Sequence, residues 1–265
     1  MTTPPTAAPS EDRAARTPRP APAARRILAH AGLETRILLS NGEQLTVAIA
    51  LPALVLIGLW LLPLGRLEGV PSIDTAVAAT FATALISTSF TSQAIVTGFD
   101  RRNGVLRWVA TTPLGREGYL AGKILATLAT HVLQVLVLGT LALIIGWRPD
   151  LLGLLGAFPV WLVGTVAFGA LGLLIAGTLR TEAVLAVSNL VFVLLIAVGG
   201  VAFPAASYPR ILRGLVDLLP SGALGELLRA CLASGPFSLG SALVLLLWAV
   251  AGVLAVMRWF RWTDS

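Results

Sequence analysis

The chain has 265 residues, of which 56% are hydrophobic and only 12% charged, and its mean hydropathy is +0.86. These few polar residues cannot cover the surface of a soluble domain. The composition therefore excludes an ordinary soluble protein and predicts a membrane protein. The formal charge of +6 does not indicate nucleic-acid binding, because membrane proteins concentrate basic residues in their cytoplasmic loops.

The N-terminal region differs in composition from the rest. Residues 1–26 are rich in Pro, Ala and Arg and lack the apolar residues needed to fold, which predicts a disordered tail. Residues 27–44 are predicted to form an amphipathic helix on the membrane surface, and an irregular tether is the alternative. The predicted apolar face consists of Ile27, Leu28, Ala31, Leu38 and Leu39, with Leu33 and Ile37 outside it.

Six apolar runs follow, each long enough to cross about 30 Å of hydrocarbon, which takes about 20 helical residues. They are residues 45–64, 75–99, 120–147, 153–179, 183–203 and 237–257, within a transmembrane domain of residues 45–258. Membrane strands are excluded, since these are about ten residues long and alternate. The predicted fold is an all-α bundle of six transmembrane helices, followed by a short tail of residues 259–265.

The basic residues predict the orientation of the bundle. With the N-terminus inside, fourteen Lys and Arg residues fall on the cytoplasmic side and five outside, and the opposite orientation would invert this imbalance. Both termini, and the segment between the second and third spans, are therefore predicted to be cytoplasmic.

That segment, "GFDRRNGVLRWVATTPLGREGYLAGK", is residues 98–123. Burying its four arginines would cost about 10 kcal/mol at about 2.5 kcal/mol each, so it must lie in water. Apolar residues are spaced for a short helix between the Asn103-Gly104 turn and Pro113. A basic amphipathic helix with exposed Leu106 and Trp108 favours contact with either the lipid surface or a protein partner.

Hydroxyl and amide side chains form polar stripes within the second and third spans. A stripe of this kind either bonds neighbouring helices or lines a wet substrate path. The path candidates are Thr83, Ser87, Thr91, Thr127, His131 and Gln134. We expect that His131 is not a proton relay. Small residues four apart in the fourth span, Thr165/Gly169 and Gly172/Ala176, predict close helix packing, either at a dimer seam or within one subunit.

The sequence gives no sign of chemistry performed by the chain itself. Cys231 is the one cysteine, and no Cys or His cluster has metal spacing. "GREGYLAGKI" lacks the first glycine and the Ser or Thr of a phosphate loop, and no Ser, His and acid set is readable. No catalytic, cofactor or metal site is predicted.

Two motifs resemble those of the ABC type-2 exporter permeases, the membrane subunits of drug, lipid and polysaccharide exporters, including daunorubicin-resistance-like proteins. The first comprises Asp100-Arg101, Gly104, Leu106, Thr111-Thr112-Pro113-Leu114 and Tyr119-Leu120-Ala121-Gly122-Lys123. The second comprises Pro204, Pro209, Pro220 and Arg229. The first departs from the family in having one carboxylate at its start where two are frequent.

The resemblance implies that the segment is a coupling helix docked on a separate cytoplasmic ABC ATPase, which binds the ATP and magnesium. The implied ATPase-coupling residues are Asp100, Arg101, Arg102, Gly104, Leu106, Arg107, Trp108 and Pro113. Residues 204–235 would form short re-entrant helices at the outer face. A second permease, identical or different, would complete the pathway in a bacterial inner membrane.

The implied activity is the export of a hydrophobic or amphiphilic drug, lipid or glycan, as in multidrug efflux and antibiotic resistance. A secondary carrier and a non-transporting membrane scaffold or immunity protein are the alternatives. A carrier would transport without any ATPase, and a scaffold would transport nothing.

Overall fold

The computed structural model describes residues 20–40, 42–61 and 73–262, and all regular structure in these ranges is helical. The helices are α1 (Ala23–Ser40), α2 (Gly42–Leu61), α3 (Ile73–Ile86), α4 (Gln93–Arg102), α5 (Val105–Thr111), α6 (Gly115–Ile144), α7 (Leu151–Thr178), α8 (Thr181–Ala197), α9 (Arg210–Leu218), α10 (Pro220–Leu232) and α11 (Leu239–Trp259). A π-helical turn, Ser87–Ser92, joins α3 to α4, and a 3-10 turn, Ala205–Ser207, precedes α9. The all-α prediction is confirmed for this part of the chain.

Four helices are long and apolar enough to cross a membrane. They are Ile73–Arg102, in which α3, the π-helical turn and α4 are continuous, and α6, α7 and α11. Shorter apolar helical stretches, Ala48–Leu61 in α2 and Thr181–Ala197 in α8, lie where the first and fifth spans are predicted. The predicted end of the first span at residue 64 and residues 1–19 of the predicted tail of residues 1–26 lie outside the described residues.

The continuous helix Ile73–Arg102 forms the centre of the bundle and packs against α2, α6, α7, α8 and α10. Small residues of α7 allow this close packing. A Cβ atom on Gly172 would lie 2.5 Å from the carbonyl oxygen of Phe90, and one on Gly164 would lie 2.9 Å from Leu224. The fourth-span stripe therefore packs within one subunit, which is one of the two roles predicted for it.

We call one end of the bundle the loop end, because the 98–123 segment and the connection between α7 and α8 both lie there. Thr181 Oγ1 donates to the carbonyl of Gly98 at 3.2 Å, and the Arg261 amide donates to the carbonyl of Gly177 at 3.1 Å. Glu34 of α1 meets Lys123 of α6 at the same end. The N-terminal helix, the 98–123 segment and the residues after α11 are thus neighbours, as the predicted topology requires.

Helix α1 differs from its prediction in its bounds and in the polar residues on its inner side. It begins at Ala23, four residues early, and ends at Ser40, after which residues 42–44 belong to α2. Its inner side packs on α6, whereas two residues of the predicted apolar face, Leu28 and Leu39, are exposed, together with Leu33 and Ile37. Ala31 of the predicted face is buried and Ile27 and Leu38 are half-buried. Two polar residues of α1, His30 and Glu34, also turn inward to partners on α6.

The opposite end is closed by α9 and α10. Buried Arg229 of α10 donates to the carbonyls of Val201 and Gly200 at 3.0 and 3.1 Å and pairs with Glu226 at 3.0 Å. Ser221 donates to the carbonyl of Gly199 at 2.7 Å. These bonds satisfy backbone carbonyls of the irregular segment that follows α8, so the second motif's arginine holds the connection from α8 in place.

Candidate coupling segment and buried polar network

A tight turn presents helix α5 at the loop end. The preceding helix stops at Arg102, and Gly104 has a φ of 76°, a left-handed conformation that glycine adopts without strain. Helix α5 follows from Val105 to Thr111, and α6 begins at Gly115 after Pro113. The short helix predicted between the second and third spans is therefore present.

The inner face of α5 is fully packed. Leu106 and Val109 are buried against Tyr119 of α6, and the cluster also contacts Leu114, Leu120, Phe260 and Trp262. The prediction that Leu106 is exposed is wrong, because aromatic residues from beyond α11 cover it. Packing on both α6 and the C-terminal segment fixes α5 firmly to the bundle.

The outer face of α5 is open to solvent. Trp108 is 69% exposed. It lies in a surface that we call the α5 surface, which consists of Arg102, Arg107, Trp108, Thr111 and Pro113, all exposed. Arg102 pairs with Glu182 at 3.1 Å, but both side chains are solvated, so the pair contributes little. An indole beside two guanidinium groups is a composition typical of protein interfaces.

Besides Leu106, two charged residues of the predicted coupling set turn inward. Arg101 is buried, and its guanidinium donates to the carbonyl of Leu179, at the C-terminus of α7. A cation at a helix C-terminus is stabilised by the free carbonyls there. Arg101 therefore ties the second span to the fourth, and Asp100 enters the cluster described next.

A buried charge cluster joins α1, α4 and α6. The ammonium of Lys123, which is 3% exposed, lies 2.7 Å from the Asp100 carboxylate and 3.0 Å from that of Glu34. Tyr119 donates to the same Asp100 oxygen at 2.6 Å. Two carboxylates flank one ammonium, and the Tyr119 hydroxyl holds one of them, so removing Lys123 would leave both carboxylates without their counter-charge.

His30 completes the charge cluster. Its ring stacks on Tyr119 with 5.2 Å between centroids and lies 3.8 Å from the Glu34 carboxylate. A Cβ atom at Gly122 would collide with this ring, so the motif's glycine makes room for it. Burial lowers the pKa of His30, and Glu34 opposes that shift only in part.

A second polar network lies within the spans, around His131. Gln134 Nε2 donates to the carbonyl of Ala48 and to Thr88 Oγ1, both at 2.8 Å. The Gln134 oxygen must then face His131 Nδ1, 2.9 Å away, so Nδ1 carries the proton. Nε2 lies 2.9 Å from Ser89 Oγ, so both ring nitrogens of His131 are bonded, and in the neutral ring Nε2 accepts from this hydroxyl.

The other stripe residues mostly bond nearby backbone or side chains. Thr127 accepts from Gln93 and donates to the carbonyl of Lys123 at 2.9 Å, and Thr83 donates to the carbonyl of Ala79 at 2.8 Å. Ser87 is buried. The hydroxyl of Thr91 is buried and has no partner within the described part of the chain.

Sequence spacing missed Thr88 and Ser89, which bond Gln134 and His131 directly. The α-helical spacing of four residues predicts Ser87 and Thr91 on the face toward α6. The π-helical turn Ser87–Ser92 takes one residue more per turn and therefore shifts that face. The run of hydroxyl residues "STSFTS" is the signal that could have found them.

An apolar cleft of about 420 Å³ lies between α6 and α7 beside this network. Its lining includes the rings of Phe81, His131, Phe158 and Trp161. His131 and Trp161 meet edge to face with 5.3 Å between centroids. The cleft has room for an apolar or aromatic group but shows little polar surface for an ion.

The family of the chain is given by comparison with known proteins. A family model for the ABC-2 type transporter matches residues 35–233. The chain belongs to the ABC-2 type transporter family. Comparison with curated proteins finds no match. The matched region of this ABC-2 transporter contains both motifs, from Asp100 to Lys123 and from Pro204 to Arg229, so the resemblance read from them is confirmed at the level of the family.

Family membership also defines the class of activity. The matched ABC-2 domain is the membrane part of a transporter, a permease that is not itself catalytic, and the family implies partnership with an ATPase subunit in a membrane complex. Together with four helices of spanning length, this makes the chain a multi-pass membrane protein.

Proposed function

We propose that this ABC-2 permease is the membrane subunit of an exporter that is driven by a separate cytoplasmic ATPase docked on the α5 surface. The ATPase would bind ATP and magnesium, and a second permease would complete the pathway. The observation that carries this proposal is the exposure of Trp108 on a helix fixed between two spans. An exposed indole flanked by arginines favours a protein partner over water.

The packing of α5 supports its use as a lever. Its inner residues Leu106 and Val109 are fully packed, and the spans on either side are joined by Asp100 and Lys123. A push on Trp108 would therefore move α4 and α6 instead of bending a loop. ATP binding on the partner would shift the population between inward-open and outward-open states.

The membrane arrangement proposed has six spans, with both termini in the cytoplasm of a bacterium. The α5 surface and the charge cluster lie at the loop end. The distribution of basic residues predicts that this end is cytoplasmic. The shorter apolar helices α2 and α8 would supply the first and fifth spans, since a short span is accommodated by local thinning of the bilayer.

Helices α9 and α10 would form the re-entrant pair. Trp248 Nε1 donates to the carbonyl of Leu218 at 2.9 Å. Trp248 lies nine residues into α11, about 14 Å along the helix axis, so the turn between α9 and α10 lies well below the start of that span. The exposed apolar side chains of Ile211 and Leu215 on α9 then suit contact with lipid.

The proposed cargo is hydrophobic or amphiphilic, as in the efflux of drugs or the export of lipids or glycans. The apolar cleft beside His131 supports this class over ions. Burial of His131, with both ring nitrogens bonded to neighbouring side chains, supports the expectation that it does not relay protons, which weighs against a proton-driven carrier.

Co-purification of the ATPase in mild detergent tests the proposal. Trp108→Ala and Arg107→Glu should each reduce the co-purified ATPase by at least about tenfold and abolish ATP-dependent export, because buried aromatic and arginine anchors dominate such interfaces. Trp259→Ala, which removes a tryptophan that is 59% exposed at the end of α11, is the matched control and should retain the ATPase. Full retention by both α5 variants would contradict the proposal.

Because Arg101 is buried, a substitution there does not test docking of the ATPase alone. Since its guanidinium bonds the C-terminus of α7, reversing its charge would disturb the bundle itself. Arg107 and Trp108 are therefore the informative positions for docking.

A further inference from the structure

A groove follows the outside of the bundle between α7 and α11, and we call it the α7–α11 groove. The two helices meet at Gly252, where an added Cβ atom would lie 3.0 Å from that of Ala170. Small side chains beside this contact leave an apolar space of about 520 Å³. Its walls are Leu171 and Leu174 of α7 and Ala251, Leu254 and Ala255 of α11.

The groove has the depth of one leaflet of a bilayer. Its lining extends along α11 from Trp248 to Trp259, which is about 16 Å along the helix axis. Half of a hydrocarbon core of about 30 Å is about 15 Å. Trp259, the last residue of α11, is 59% exposed, and tryptophan is enriched where a membrane meets water. The groove therefore extends from the middle of the span to the membrane surface at the loop end.

Arg258 lies at the surface end of the groove. It is exposed, and it is the charged residue among the described residues that line this space. An arginine in the last turn of a helix can bind the free carbonyls there. The Arg258 guanidinium, however, makes no hydrogen bond or ion pair within the described part of the chain. An apolar groove thus ends at a cation that has no counter-charge among these residues.

Two further arginines lie at the same end as Arg258. The Arg261 amide donates to a carbonyl in the last turn of α7 at 3.1 Å, so the end of α11 lies beside the end of α7. Arg180 follows that end of α7, and the side chains of Arg180 and Arg261 are exposed. Glu182, close to Arg180 in sequence, pairs with Arg102 instead. This end of the groove therefore attracts anions.

We propose that the α7–α11 groove binds an anionic phospholipid, with an acyl chain along the apolar walls and the phosphate at Arg258. A guanidinium binds phosphate oxygens in a bidentate manner. Basic pockets between spans on the cytoplasmic side of a membrane bind anionic headgroups. The inference depends on the position of the chain in a membrane and does not depend on a docked ATPase.

An anionic lipid fits the groove better than other occupants. Ala251 and Leu254 are exposed, so the groove faces outward, where lipid surrounds a multi-pass protein. The positive-inside rule accounts for arginines at this end, but it does not require one of them to close an apolar groove. A soluble anion would not need the apolar walls, and a lipid without net charge would not need three arginines.

The bound lipid would also support α5. After α11 the chain continues into Phe260 and Trp262, which pack in the cluster that covers Leu106. Phe260 lies against the last turn of α7, since an added Cβ atom at Gly177 would collide with its ring. A lipid held at Arg258 therefore stabilises the segment on which α5 packs. Anionic lipid should accordingly raise the thermal midpoint of the protein more than neutral lipid does.

Native mass spectrometry of the full chain, purified without any ATPase in mild detergent, tests the headgroup site. Given equal amounts of phosphatidylglycerol and phosphatidylcholine, the unmodified protein should retain at least about tenfold more of the former, since surface arginines favour anionic lipid. Arg258→Gln should abolish this preference. Arg258→Lys should keep part of it, because an ammonium binds phosphate as a point charge.

The matched control for charge is Arg148→Gln. It removes an exposed arginine that precedes α7 at the opposite end of the bundle. This variant should show the same lipid preference as the unmodified protein.

A second pair of variants tests the apolar walls. Ala251→Phe fills the groove without changing its charge and should reduce retention of phosphatidylglycerol several-fold, because the acyl chain loses its buried contacts. Leu247→Phe places the same ring one turn earlier on α11, at an exposed position outside the lining, and should have no effect. The thermal midpoint of each variant without added lipid shows whether it is folded.

Three results would overturn the inference. One is equal retention of the two lipids by the unmodified protein, which would make the groove an ordinary lipid contact. Another is an unchanged preference in Arg258→Gln, or an equal loss in Arg148→Gln, which would place the headgroup elsewhere. The third is unchanged retention by folded Ala251→Phe, which would mean that the groove takes no acyl chain.

The two proposals fail separately. Lipid retention is measured on the permease alone, so its failure leaves the docking of an ATPase on α5 intact. Failure of the ATPase to co-purify with the unmodified chain overturns the proposed function and leaves the lipid site intact.

Discussion

Lys123 links three helices through two buried ion pairs. Its buried ammonium binds Glu34 of α1 and Asp100 of α4 from its own position on α6. The charged residues of the 98–123 motif thus have two kinds of task. Asp100, Arg101 and Lys123 hold helices together, whereas Arg107 and Trp108 face outward.

His30 makes the attachment of α1 sensitive to pH. Its pKa lies below the ordinary 6.5 because burial disfavours the charged ring. When α1 detaches, the ring regains its ordinary pKa, so below about pH 6.5 the detached state binds more protons than the packed state. Stability is therefore complete above that pH and falls as the pH decreases.

We expect the thermal midpoint of the detergent-solubilised protein to fall between about pH 7.5 and about pH 5.5, where histidine gains its proton. His30→Gln, which keeps a polar side chain but cannot titrate, should show a smaller decrease over the same range. Equal decreases in both proteins would mean that His30 does not control this step.

Residue-level prediction succeeded where the signal was local and failed where it was not. Trp108 is exposed as its place in a basic helix predicts. Leu106 is buried because Phe260 and Trp262, from the far end of the chain, pack against its cluster. No local spacing could reveal a cover that arrives about 150 positions later in the sequence.

The π-helical turn is the distinctive element of the central helix. It brings Ser89 and Thr88 to the face that meets His131 and Gln134, and its Phe90 carbonyl lies against Gly172 of α7. Such turns are rare in proteins, and many of those that occur lie at functional sites. Helical spacing predicted the presence of a polar stripe correctly but not its register, because an extra residue per turn leaves no periodic trace in the sequence.

Gly172 is where this element meets α7 most closely. A Cβ atom there would lie 2.5 Å from the Phe90 carbonyl oxygen, and backbone cannot move aside as a flexible side chain can. We therefore expect Gly172→Ala to destabilise the protein by about 1–3 kcal/mol, as overpacking does, measured as a lower thermal midpoint.

The matched control is Gly58→Ala in α2, where an added Cβ would meet no atom within 4 Å. Alanine is the better helix former, so this control should be neutral or slightly stabilising. Similar midpoints for the two variants would show that the central helix can shift to accept the extra atom, and that the contact is not tight.

At the scale of the whole molecule, the sequence predicted the helical class and the order of the apolar helices better than their packing. The length of the apolar runs and the distribution of arginines are set by the membrane and not by contacts within the protein, so both can be recognised in a single sequence. The shared end of α1, the 98–123 segment and the C-terminal residues agrees with that topology. The inward position of His30 and Glu34 on α1 was not predicted, because their partners lie on α6, which composition does not reveal.

A series of direct contacts connects the α5 surface to the centre of the bundle. Helix α5 packs on Tyr119, which bonds Asp100 of α4, and α4 runs directly into the π-helical turn that contacts His131. A movement imposed at α5 therefore has a rigid route to the centre of the bundle, which is what a permease driven by an external ATPase requires.

Site-specific photocross-linking from α5 tests this account most directly. A benzophenone amino acid placed at Thr111, an exposed position that leaves Trp108 intact, should form an adduct with a cytoplasmic ATPase, identified by mass spectrometry. The same probe at Thr140, exposed near the far end of α6, should not. An ATPase adduct from position 111 alone is the predicted result, and adducts only with lipid, or with no ATPase at all, would contradict the assignment of α5 as the coupling helix.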